Sequence, residues 1–193
     1  MPLCKAIREK LLGPGVKLIY GEAGVGKTTL TLEVLSEACS NRCLYITTER
    51  LDFLRRAAGM DIDLGRLIVY EAFDAEDFLE VVTHRQLPFY DAVAVDSINS
   101  YAHEGRAAYA LTALLASMLY SVSERYGLLV VETAQVRWKP GEGVIPASLH
   151  AIGLWADTLI ELTRREGGTR AARVDGETYL YRITGEGVKW LNC

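Results

Sequence analysis

The sequence predicts an α/β fold built on a mostly parallel sheet with helices on both faces, and three observations predict it. Five short apolar runs are spaced along the first two thirds: VKLIY at 16–20, CLYIT at 43–47, LIVYE at 67–71, DAVAVD at 91–96 and GLLVVET at 127–133. Unbroken apolar runs of that length suit strands buried on both faces. Helical spacing lies between them, with Leu30, Val34, Leu35 and Ala38 on one face, and Leu111, Leu115, Met118, Leu119 and Val122 recurring at threes and fours within 109–126. The last third changes character. DTLIELTRREGGTRAARV and TYLYRITGEGVKWL read as strands joined by the tight turns REGG, DGE and TGEG, hence C-terminal antiparallel hairpins added to the sheet edge.

The chain opens with MPLCKAIREKLLGPG, charged and helix-like, without the apolar core of a signal peptide. No uncharged apolar stretch reaches the length of a membrane span. Half of the 193 residues are hydrophobic and 24% are charged, with no linker or repeat, so one domain over 1–193 is expected, cytoplasmic and with no membrane partner. A net charge of −4 excludes a broad basic face for duplex DNA and confines any nucleic-acid contact to loops. Amides are scarce, which points to a hot-living source, since Asn and Gln are thermolabile. Cys4, Cys39, Cys43 and Cys193 form no C-x-x-C pattern, so no zinc site is expected. Their spacing leaves open free thiols, a disulfide at Cys39 or Cys43, or a bond joining the chain ends.

Residues 21–29, GEAGVGKTT, follow an apolar run and open a helical one, which is the context that gives G-x-x-x-x-G-K-[ST] its meaning. Gly21, Glu22, Ala23, Gly24, Val25 and Gly26 would turn backbone N–H groups around phosphates, and Lys27, Thr28 and Thr29 would open the helix whose N-terminus favours anions. Lys27 would reach the β- and γ-phosphates of ATP, and the Thr28 hydroxyl would bind Mg2+. Asp96, ending its strand, is placed to hold the magnesium shell. Glu49, after CLYIT, is a candidate base for the attacking water, and Gln135, after GLLVVET, a γ-phosphate sensor. Downstream, Arg137, Trp138 and Lys139 combine two cations with an aromatic face, the chemistry that single strands need. Arg164, Arg165, Arg170 and Arg173 flank the REGG turn and read as a solvated hairpin tip.

The ordered set GEAGVGKTT, CLYITTE, DAVAVDS and VVETAQV resembles the RecA/RadA recombinase superfamily, particularly archaeal single-domain paralogues of the RadB kind. The likeness runs across nearly the whole chain, including GTRAARV and YRITGEGV. It implies a RecA-like P-loop NTPase core that binds ATP and Mg2+, with Lys27, Thr28 and Asp96 on phosphate and metal, Glu49 as catalytic base and Gln135 as γ-phosphate sensor. The second DNA-binding loop is then expected over VRWKPGEGVIPASLH. The resemblance also implies partners: a full-length RadA-type recombinase or another paralogue, with single-stranded DNA as a candidate ligand, and a weak Mg-dependent ATPase in recombination and repair. An N-terminal helical DNA-binding domain is not expected, and none of the phenylalanines is read as the Phe-x-x-Ala element that links full recombinases into filaments. Glu132-Thr133-Ala134 departs from the Thr-Asn run usual before the Gln. A rival reading is a KaiC-type or archaellum-type switch that docks a partner protein without DNA.

Overall fold

The computed structural model describes residues 3–48, 53–100, 106–139, 143–146 and 149–193, with only the backbone described at 106–108, 137–139, 143–146 and 149. The elements run α1 (Lys5–Leu11), β1 (Gly15–Gly21), α2 (Lys27–Ala38), β2 (Cys43–Thr47), α3 (Phe53–Ala57), β3 (Leu67–Glu71), α4 (Ala75–Val82), β4 (Ala92–Asp96), α5 (Arg106–Tyr126), β5 (Leu129–Lys139), β6 (Gly143–Pro146), α6 (Leu149–Ile152), β7 (Thr158–Arg164), β8 (Arg170–Val174), β9 (Glu177–Thr184) and β10 (Gly187–Trp190). One sheet carries them in the order β10-β9-β8-β7-β1-β5-β4-β2-β3, with β6 paired to β5. From β7 to β3 the pairings are parallel, and from β7 to β10 antiparallel, as the two patterns in the sequence require.

Alternation along each strand divides the core in two. Ile19, Cys43, Tyr45, Ala92, Ala94, Leu129 and Val131 face α1 and α2, while Val16, Leu18, Leu44, Ile46, Val93, Val95 and Val130 face α4 and α5. Every residue from Thr29 to Leu35 is buried, because α2 lies between the sheet and a cover made by α3 and β10. A helix enclosed this way needs no polar stripe. Strand β3, expected to be covered on both faces, is the sheet edge and leaves Ile68 40% exposed. Helix α4 is opened by Asp74, whose carboxylate accepts from the Glu76 and Asp77 N–H groups at 2.9 Å each.

Two expectations need correction, and one question left open is settled. Strand β5 does not stop at Thr133: it continues through Gln135 to Lys139 and turns back as β6, so the backbone of the expected second loop is largely a hairpin. A Phe-x-x-Ala spacing does occur, at Phe89 and Ala92: Ala92 is fully buried as the first residue of β4, whereas Phe89, at the end of the turn before it, is 78% exposed. The cysteine question resolves as a disulfide between Cys4 and Cys193, with Cys39 and Cys43 unbridged. No helix among the described residues is long and apolar enough to cross a membrane.

Candidate functional site

Strand register brings the site together. In the parallel pairing Gly21 on β1 lies opposite Gln135 on β5, and Asp96 on β4 lies opposite Thr47 on β2. The C-terminal ends of β1, β4 and β2 thus form one rim with the middle of β5, at the edge where open α/β sheets bind ligands. The loop between β1 and α2 curls over it. Gly26, the N-cap of α2, has φ 106°, and a Cβ there would come within 2.5 Å of Ile183 Cδ1. The left-handed backbone demands glycine, and a Cβ would in addition have to push the end of Ile183 aside. Behind the loop the Tyr181 hydroxyl donates to the Val25 carbonyl at 2.8 Å.

Under the loop a cleft of about 310 Å³ is lined by Gly24, Lys27, Thr28, Arg56, Asp96 and Gln135, among others. Lys27 folds back on the loop, its ammonium donating to the Gly21 carbonyl at 2.8 Å and the Glu22 carbonyl at 3.1 Å. Thr28 Oγ1 donates to Asp96 Oδ2 at 2.7 Å, so the hydroxyl and carboxylate expected to share a metal are already in contact. Two hard oxygen donors side by side fit Mg2+, which takes few protein ligands and keeps several waters.

Period-two alternation explains the rest of the Asp96 environment. Tyr45, Asp96 and Thr133 all point to the α2 side of the sheet; the Tyr45 hydroxyl donates to Asp96 Oδ2 at 2.6 Å and the Thr133 hydroxyl to Oδ1. Three hydroxyls therefore hold one carboxylate that is only 7% exposed. Tyr45 and Thr133 were missed in the sequence. Their strand positions relative to Asp96 were legible, but only the register shows that they converge on it. Asn99 was missed too: it clasps the Gln135 backbone, accepting from its N–H and donating to its carbonyl, each at 2.9 Å.

No family model matches the chain. The DNA repair and recombination protein RadB of Halobacterium salinarum is 28% identical over 218 aligned residues, spanning 96% of this chain and 92% of that protein. Protein RecA of Campylobacter hominis is 29% identical over 140 residues, 64% of this chain and 40% of its own length. RecA of Bordetella avium gives 27% over 137 residues. The chain is thus similar to RadB over nearly its whole length and to RecA over about two thirds of it.

Within this RadB-like core the REGG hairpin departs from the solvated tip expected for it. Arg164 donates to the Ala23 carbonyl at 2.8 Å and Arg170 to the Gly24 carbonyl at 3.3 Å, so two guanidinium groups brace the outside of the phosphate loop. Arg173, by contrast, pairs with Glu161. Glu132, one residue before Thr133, faces the opposite side of the sheet, fully buried, with neither carboxylate oxygen hydrogen-bonded among the described residues. Burial pushes its carboxyl up to about 8. Glu49 lies outside the described residues. Arg137, Trp138 and Lys139 occupy the outer part of β5, opposite Ile145, Val144 and Gly143 of β6, and their side chains lie outside the described residues.

Proposed function

We propose that this chain binds ATP with Mg2+ and serves recombinational DNA repair as an accessory to a full-length RadA-type recombinase or another paralogue, with slow or DNA-dependent ATP turnover. The observation that carries the reading is the contact of Thr28 with Asp96 directly beneath a glycine-built phosphate loop. The names of the relatives support the recombination setting.

In this reading the backbone from Gly21 to Thr29 cradles the phosphates and the N-terminus of α2 adds its partial positive charge. Lys27 leaves the Gly21 and Glu22 carbonyls to neutralise the β- and γ-phosphates. Thr28 and Asp96 are the residues that would hold Mg2+, which would supply charge neutralisation at the phosphates. Glu49 takes the proton from the attacking water, and Gln135, held through its backbone by Asn99, reports the γ-phosphate. Such catalysis is positioning and electrostatics, so a group misplaced by an ångström is costly. Arg137, Trp138 and Lys139 are the residues proposed to meet single-stranded DNA.

The test is ATP turnover by the purified chain with and without single-stranded DNA, beside Lys27→Ala and Glu49→Gln. The proposal expects turnover that DNA raises and that both substitutions abolish. Nucleotide binding with neither turnover nor a response to DNA would favour a docking switch of the KaiC or archaellum kind. DNA binding itself should weaken as salt rises, because phosphate contacts release counterions.

A further inference from the structure

At the far end of α2 from the phosphate loop, the thiols of Cys39 and Cys43 and the carboxylate of Asp91 bring their donor atoms within 4.8 Å of one another. Cys39 caps α2, Cys43 begins β2, and Asp91 immediately precedes β4, the strand beside β2. The three therefore come from three elements fixed by the sheet. The cysteines bracket a three-residue turn, a spacing within the range of thiolate pairs in structural metal sites. Asp91 was invisible to any local spacing rule because it is brought in by strand pairing.

The surroundings favour a cation. Asp91 Oδ2 accepts from the N–H groups of Asn41 at 2.5 Å and Arg42 at 3.2 Å, which fixes the carboxylate against the turn. Orientation of this kind is the role of the outer shell in metal sites. The carbonyl end of α2 carries partial negative charge. Two thiolates and a carboxylate around a divalent ion leave one net negative charge; the guanidinium of Arg66 lies beside them, donating to the Cys39 and Ser40 carbonyls at 3.3 and 3.1 Å while paired with Asp63 at 3.0 Å. Cys43 is buried while Cys39 and Asp91 are half-buried, so an ion has an entry path.

We infer that Cys39, Cys43 and Asp91 form a site for a thiophilic divalent metal ion of the zinc class, pinning the C-terminal end of the phosphate-loop helix to the sheet. Binding releases the two thiol protons to solvent and leaves a fourth, solvent-facing position for water. The site is independent of the nucleotide reading above.

The chain, purified anaerobically without thiol reductant so that Cys4 and Cys193 stay joined, is dialysed against a chelator and titrated with Co2+. One Co2+ per chain is expected, with thiolate-to-cobalt charge-transfer absorption that Zn2+ abolishes by displacement. Cys39→Ser should lose that absorption, and Asp91→Asn should weaken Co2+ binding by roughly 10- to 100-fold. Because Cys39 is half-buried at a helix end, its substitution tests the site without emptying the core, and Zn2+ should raise the thermal midpoint of the wild type but not of Cys39→Ser. Absence of the charge-transfer band, its persistence in Cys39→Ser, or recovery of Cys39 and Cys43 as a disulfide would overturn the inference.

Discussion

Replacing Glu132 by leucine should make the protein more stable, and by an amount that depends on pH. The unfolded carboxyl ionises near 4.5 and the buried one near about 8. Between those values the folded state holds a proton that the unfolded state has released, so native stability falls as pH rises through that window and levels off above it. At pH 7.5 the protonation of Glu132 costs ~4 kcal/mol, and at pH 5 less than ~1 kcal/mol, at 1.36 kcal/mol per pH unit. Leucine removes this term and also the unbonded polar atoms, a further ~1–3 kcal/mol that does not vary with pH. Glu33, whose carboxyl burial pushes up to about 7, has the same sign but is present in both proteins and cancels in the comparison. Urea denaturation of wild type and Glu132→Leu at pH 5 and 7.5 measures the effect. The variant's advantage should be ~3 kcal/mol larger at the higher pH. An advantage equal at both pH values, or a variant less stable than wild type at pH 7.5, would refute the assignment of an unpaired, proton-holding carboxyl.

Reducing the Cys4–Cys193 bond releases a closed loop spanning a sequence separation of 189. The chain-entropy model then predicts a loss on the order of 5 kcal/mol, read from the denaturation midpoint with and without reductant, and a loss below about 1 kcal/mol would refute it. Asp74→Ala should cost about 1 kcal/mol, because the cap of α4 satisfies two helix N–H groups, and a change within error would mean that water replaces it fully. Arg164→Ala should weaken ATP binding while leaving the thermal midpoint nearly unchanged, since its guanidinium is bonded to a loop carbonyl at the surface; isothermal titration checks the first and calorimetry the second. Gly26→Ala should abolish nucleotide binding, since φ there strains any residue with a Cβ and the end of Ile183 would have to move as well, and retained affinity would show that the loop can re-form.

The sequence by itself determined what short-range physics controls. Apolar runs placed β1 to β4 to within about a residue, because a strand buried on both faces tolerates no polar interruption. The hairpin turns marked the antiparallel end, and GEAGVGKTT marked a phosphate loop whose glycines the backbone does use at positive φ. It misjudged β5, whose polar outer half is held by pairing with β6 and not by burial, so no hydrophobic run announced it. Only the tertiary structure decided which distant groups meet: Tyr45 and Thr133 on Asp96, Asn99 on Gln135, Arg164 and Arg170 on the loop, Asp91 beside Cys39 and Cys43. Each of those contacts is fixed by strand order and register, properties of the whole sheet that no local window of residues contains.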